Sequence, residues 1–299
     1  MHWHGYAMTI PYHIHIGQLP PNVSYNQAYA VIEKTFREID ETLNKYNPLS
    51  EISKFNHWKE KTPFACSPKL FFLLQQCEHF YLLSNGRFDP TISPLKESWK
   101  LALMDRVLPS KEALENLPPI GWENISLYDN GSVCKSDKRV ALDLGGIAKG
   151  YAVDLLVEHL ADLGVTEMYV EWGGEIRVQG GHQEKRAWNI GIYSPDEEKP
   201  MRFIEINEGA LATSGDYLQA WSLFTDGKEL CFSHFLDPQK KAPYPASKKS
   251  VTIKHESCLV ADALATVFCT LSPDEDPNDF LQEKVLPAFP TASLVFGTD

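Results

Sequence analysis

The 299-residue sequence has no apolar run approaching the roughly 20 residues that a helix needs to cross a bilayer, so no membrane-spanning helix is expected. It has no basic excess either. Forty acidic residues face twenty-eight basic ones, for a net charge of −12. Such a chain suits neither general nucleic-acid binding nor an anionic membrane surface, and an anionic ligand would need a local positive pocket. No C-x-x-C pair occurs among Cys66, Cys77, Cys134, Cys231, Cys258 and Cys269, which argues against a zinc site. Most of these cysteines sit in apolar runs and read as small buried hydrophobes, with disulfides left open. The P-loop pattern, the G-x-G-x-x-G fingerprint and the G-x-S-x-G elbow are all missing. So are repeats and low-complexity linkers. The length prior of about 150 residues per domain therefore suggests two domains or one large one, with a soft boundary. No signal-peptide pattern is present. The opening Met1-His-Trp-His-Gly5 reads as the edge of a strand, which leaves room for a signal or anchor upstream.

What is present alternates between strand and helix signals. Met8 to Ile16 reads as a strand with Ile10, Tyr12, Ile14 and Ile16 on one face. His13 and His15 fall on the other face. With His2 and His4 they form a possible metal cluster, although H-x-H on a strand more often marks a wet sheet face. Ser24 and Gln27 make a capping box for a helix to Asn44, with Ala28, Val31, Thr35, Ile39 and Leu43 as its apolar stripe. Tyr46 to Asn56 reads as a turn-rich link. Ser67 and Pro68 open a second helix that stops at Asn85-Gly86. Two prolines within Phe88-Asp-Pro-Thr-Ile-Ser-Pro-Leu95 predict a fixed, extended loop. Asp129-Asn-Gly131 marks a hairpin. Strands are expected at 167–172, 175–179, 188–193, 202–206, 210–213, 231–236, 250–253 and 292–296. Helices are expected after Gly146 to Gly164 and over 258–271. Many hairpin-spaced strands with few helices give an α+β class with largely antiparallel sheets flanked by helices.

Three segments carry chemistry. Val140 to Asp154 runs from an apolar strand through Gly145 and Gly146 to Lys149 and a helix. Helix N-termini attract anions, glycines admit close backbone approach, and lysine adds a point charge suited to phosphate. A tight turn with a solvated lysine is the plainer reading. Asp262 and Thr266 stand one helical turn apart in an apolar helix, on one face. A buried carboxylate needs a partner: a hard cation such as Mg²⁺, or else an arginine or backbone groups, with Thr266 bonding back within its helix. Leu211 to Tyr217 is a strand running into a Ser-Gly-Asp turn, either a ligand site or a plain turn. His234, in an alternating strand ending at Asp237-Pro238, reads as a hydrogen-bonded core histidine or as a general base.

Taken in order, these segments resemble the ApbE family, the FAD:protein FMN transferases. Tyr46 with Ser50-Glu-Ile-Ser-Lys-Phe-Asn56, Gly86-Arg-Phe-Asp-Pro-Thr91 with Pro94, Leu95 and Trp99, and Asp143-Leu-Gly-Gly-Ile-Ala-Lys-Gly150 are similar to its blocks. Gly173-Gly174, Ala212-Thr-Ser-Gly-Asp-Tyr217, His234-Phe-Leu-Asp-Pro238 and Ala261-Asp-Ala-Leu-Ala-Thr266 follow in the family's order. Two departures stand out. Thr9-Ile10 follows Met8 where the family has Gly-Thr, and Gln239-Lys240-Lys241 replaces Arg-Thr-Gly.

The resemblance implies one ApbE-like unit over residues 1–299, or two intertwined α+β subdomains with a T-fold-like core. It implies FAD as substrate, its diphosphate at Gly145, Gly146 and Lys149, and Mg²⁺ on Asp262, Thr266 and the carbonyl of Ala148. It assigns catalysis to His234 and Lys149. Met8, Tyr46, Phe88, Asp89, Thr213, Ser214, Gly215 and Asp216 are then expected around adenine, ribose or flavin. A Thr or Ser hydroxyl of an acceptor protein, by analogy a respiratory redox subunit, would receive FMN as AMP leaves. The rival readings are an Mg²⁺-dependent FAD pyrophosphatase and a non-catalytic FAD-binding protein. Family analogy expects a lipid-anchored protein on the periplasmic side of a bacterial inner membrane.

Overall fold

A computed structural model of the chain describes all residues except 183, 194–199, 217–219, 226, 247–249, 273 and 298–299. Its main sheet has seven strands, ordered His2–Ala7, Ile10–Ile16, Met168–Trp172, Glu175–Gln179, Gly209–Gly215, Ser250–His255 and Ser293–Gly297. Every neighbouring pair is antiparallel. The mixture of helices and antiparallel sheets matches the α+β expectation.

Alternation sets which face is dry. Tyr12, Ile14 and Ile16 are buried, while His13 on the opposite face is exposed. The buried face packs on three helices, Tyr25–Leu43, Ala148–Asp162 and Cys258–Cys269. Ser24 closes the expected capping box with Gln27. The buried stripe of that helix includes Ile32 and Phe36 alongside four of the five predicted positions; Val31 is only half-buried. On the other face, the Trp188–Tyr193 and Pro200–Ile206 ribbon lays Trp188, Ile190 and Ile206 on Val178 and Leu211. Cys77, Cys258 and Cys269 are buried, as expected of small hydrophobes, and no disulfide joins any of the six cysteines among the described residues.

The structure corrects four local expectations. The strand predicted from Met8 begins at Ile10, and Met8 and Thr9 form a two-residue hairpin turn with φ of 49° and 67°. Within the expected link, Ser50 caps a short helix, Glu51–Asn56. The expected extended loop near residue 90 is instead a 3₁₀ turn, Pro90–Ile92, running into a helix, Ser93–Met104. Pro94 occupies the first turn of that helix, where its missing N–H costs nothing. Among the strands absent from the sequence expectation are Trp221–Thr225 and Ala242–Pro245, which flank Lys228–Asp237 in a three-stranded sheet carrying His234.

Candidate active site

Two helices bring the chemistry together. The Ala148–Asp162 helix begins at Ile147 without a side-chain cap. Its neighbour, Cys258–Cys269, supplies one instead, since the Gly150 N–H donates to Asp262 Oδ2 at 2.9 Å. Gly150 is required there, because a Cβ would stand 2.3 Å from the Cys258 carbonyl oxygen and 2.8 Å from the Asp262 Cβ. Asp154 locks the same pair of helices. It accepts from the Cys258 and Leu259 N–H groups at 2.9 and 3.0 Å, from Ser257 Oγ at 2.7 Å, and from Arg177 at 2.7 Å.

The sequence reading expected open N–H donors at this helix start, and the structure qualifies that. The Ile147 and Ala148 N–H groups donate to the Leu144 carbonyl, and that of Gly150 to Asp262. Positive charge for an anion comes mainly from side chains. Lys45, Arg87, Lys96 and Lys149 all line one cavity of about 560 Å³. Asp143, in the glycine turn, positions two of them through Oδ2, at 2.9 Å from Lys45 Nζ and 3.1 Å from Lys96 Nζ. Burial pushes the Asp143 carboxyl up, but Lys96 and Lys45 outweigh it and hold the group well below its ordinary range.

At the cavity floor, Lys149 Nζ lies 2.5 Å from Glu175 Oε2, and Glu175 is 1% exposed. Asp262, 2% exposed, faces the same ammonium. Burial raises both carboxyls, Glu175 to about 8, and Asp262 adds to the rise at Glu175 against the pull of Lys149. Two buried acids share one lysine, so the cluster without a ligand retains a proton that a hard cation on Asp262 could displace. Ala148 and Thr266 line the cavity beside it, and Thr266 Oγ1 would lie 3.1 Å from a Cβ on Gly146, which that residue lacks. Glu175 was missed from sequence, where it reads as an ordinary strand residue after Gly173-Gly174. Only its tertiary partners reveal it.

The other expected residues mostly converge here. Met8, Tyr46, Phe88 and Asp89 line the cavity, as do Gly145, Gly146, Thr213, Ser214 and Gly215. Asp216 does not; it is buried behind the wall, close enough to raise the pKa of His234. Tyr217 lies outside the described residues. Thr266 hydrogen-bonds with Ser214 Oγ at 3.3 Å, which ties its helix to the Ser-Gly-Asp turn.

Asp89 Oδ1 accepts from the Thr91 N–H at 2.8 Å and hydroxyl at 2.7 Å, while buried Oδ2 has no partner among the described residues. Burial pushes this carboxyl up to about 6. His234 also lines the cavity. Burial, then Lys96, lower its pKa to about 4, and its Nδ1 has no partner among the described residues. A neutral imidazole on a cavity wall is suited to accept a proton.

A family model described as the ApbE family matches residues 8–288. The chain belongs to the ApbE family. One relative, a FAD:protein FMN transferase of Chlamydia trachomatis serovar D, is 39% identical over 293 residues, covering 96% of this chain and 89% of its own length. A Vibrio cholerae protein of the same name is 31% identical over 271 residues, covering 89% and 80%. The solved ApbE protein of Thermotoga maritima superposes with a TM-score of 0.82 at 26% identity, covering 98% of this chain and 93% of that one. The flavin transferase ApbE of V. cholerae does so at 0.78 and 30%, covering 90% and 86%. The sequence resemblance and the fold thus lead to the same family.

Proposed function

We propose that this member of the ApbE family is an Mg²⁺-dependent transferase that moves the FMN part of FAD onto a Thr or Ser hydroxyl of an acceptor protein. The observation that carries this reading is the meeting of the 143–149 turn with Asp262 and Lys149 on one cavity wall, with Glu175 buried behind Lys149. Phosphoryl transfer needs positioned reactants and neutralised charge more than covalent chemistry. Lys149 sits where a diphosphate oxygen would gain most, since little water competes there. Lys96 and Lys45, held by Asp143, extend the positive wall. Mg²⁺, when bound by Asp262, Thr266 and the Ala148 carbonyl, supplies further neutralisation of the diphosphate.

His234 takes the proton from the acceptor hydroxyl as its oxygen attacks the FMN-side phosphorus. The bond to the AMP phosphate oxygen breaks, and FMN stays joined to the acceptor by a phosphoester. Asp89 Oδ2, buried without a partner, is placed to receive a hydrogen bond from adenine or ribose. Tyr46, 73% exposed at the rim, offers a ring face for a planar heterocycle. The respiratory acceptor and the lipid-anchored periplasmic site implied by resemblance belong to the same proposal, and cell fractionation tests the second.

The deciding experiment incubates the chain with FAD, Mg²⁺ and an acceptor carrying the candidate hydroxyl, followed by intact-mass measurement. A gain of one FMN phosphoester with release of AMP is expected, and EDTA should stop both. Free FMN with an unmodified acceptor would make the chain a pyrophosphatase. Intact FAD would make it a binding protein.

A further inference from the structure

The exposed face of the N-terminal hairpin carries four histidines that the flavin cavity does not use. Register pairs His2 with His15 and His4 with His13 across the two strands, so the four rings form a square on one face. His2 is its hub. Its ring centroid lies 3.9 Å from that of His15, 5.3 Å from His4 and 6.2 Å from His13. His4 and His13 are 6.5 Å apart. Directly opposite residues have Cβ atoms about 4.5–5.5 Å apart, close enough for two imidazoles to reach one ion at the usual metal–nitrogen distance of about 2.0–2.1 Å.

The residues around the square support the same chemistry. Glu171 stands opposite His13 on the next strand, and Tyr169 opposite His15. A carboxylate beside a metal-bound imidazole orients the ring and raises its basicity. His15 packs edge-on against Tyr169 and Trp188, which fixes one ring of the square, whereas His2, His4 and His13 are exposed and free to turn.

We infer that this square binds one divalent transition-metal ion of the borderline class (Zn²⁺, Ni²⁺ or Cu²⁺), with His2 and His15 as its anchor pair and His4 or His13 completing it. As they stand, three of the four ring pairs stack and His2 is tilted against His4, and among the described residues no three side chains form a preformed metal site. Binding therefore turns the exposed rings about their side-chain torsions until their nitrogens converge. Imidazole donors favour this class of ion over Mg²⁺, so the square and the oxygen-rich cavity floor select different metals. The ion would fasten the sheet's first, open-edged strand to its neighbour.

Calorimetric titration of the full chain with Zn²⁺, in excess Mg²⁺, tests the inference. One Zn²⁺ per chain is expected for the wild type and for Asp262→Asn, which weakens the cavity site. The triple variant His2→Gln, His4→Gln, His13→Gln alters exposed positions only and should bind at least about tenfold more weakly. Flavin transfer at saturating Mg²⁺ should not change in that variant. Cu²⁺ bound to the wild type should show nitrogen hyperfine splitting from two or more imidazoles. No Zn²⁺ uptake, uptake lost with Asp262→Asn, uptake unchanged in the triple variant, or a Cu²⁺ spectrum with fewer than two nitrogens would each overturn it.

Discussion

At the scale of single residues, the active-site reading turns on His234 and its depressed pKa. The neutral ring is the active form, so the acid limb of kcat/KM should fall near pH 4 and not near the ordinary 6.5. A limb near pH 6 would point to Asp89 instead, which burial pushes up to about 6. Replacement of His234 by Ala should slow transfer by roughly 10²–10⁴-fold and leave FAD binding and melting temperature little changed. Unfolding of that variant would make His234 a core residue. Linkage gives an independent check. A folded-state pKa below the unfolded value means that the unfolded chain binds more protons between about pH 4 and 6.5. The stability associated with His234 is therefore complete above about 6.5 and is lost as pH falls toward 4. Urea titrations of wild type and the Ala variant across that window should differ in slope.

The chemistry-bearing residues were legible because their types are unusual where they stand: a carboxylate in an apolar helix, a lysine after paired glycines. Glu175 was not, because a glutamate in a strand reads as a solvent-facing position. Its burial is decided by Lys149, 26 positions earlier, and by the helix that carries Asp262.

At the scale of elements, two helix starts were readable from their caps, since Ser24 and Ser67 each accept from a first-turn N–H. The Ser93–Met104 helix was not, because proline punctuates both loops and first helical turns and only packing chooses between them. The Trp221–Thr225 strand hid for a related reason: an apolar residue, Phe224, stands 73% exposed next to buried Leu223, so the sequence loses its polar–apolar alternation.

Two substitutions probe element contacts. Gly150→Ala drives a methyl into the Cys258 carbonyl and the Asp262 Cβ. It should cost about 1–3 kcal/mol, read by denaturant titration, and disturb activity by separating the two helices. Thr9→Gly should do the reverse. A β-branched residue held at φ 67° is strained by about 1–2 kcal/mol, so glycine should raise the denaturation midpoint. Because Thr9 lines the cavity, a change in KM for FAD without a change in kcat is expected alongside.

At the scale of the whole molecule, the cavity floor couples ligand binding to stability. Two buried acids against one lysine leave the ligand-free protein with a cost that a divalent ion relieves. Mg²⁺ and FAD together should raise the melting temperature, by about 2.7 kcal/mol of added stability at a hundredfold excess over Kd. FAD without Mg²⁺ should give much less. An equal shift with EDTA present would detach the metal from the site.

The main sheet takes its first two strands from the start of the chain and its last from residues 293–297, with the cavity walls contributed in between. A polypeptide emerging from the ribosome therefore carries Met8, Lys149 and His234 long before it can enclose anything with them. The last strand pairs with Ser250–His255, which in turn pairs with the strand carrying Thr213 and Ser214 in the cavity wall, so a chain shortened by its last dozen residues should bind flavin more weakly.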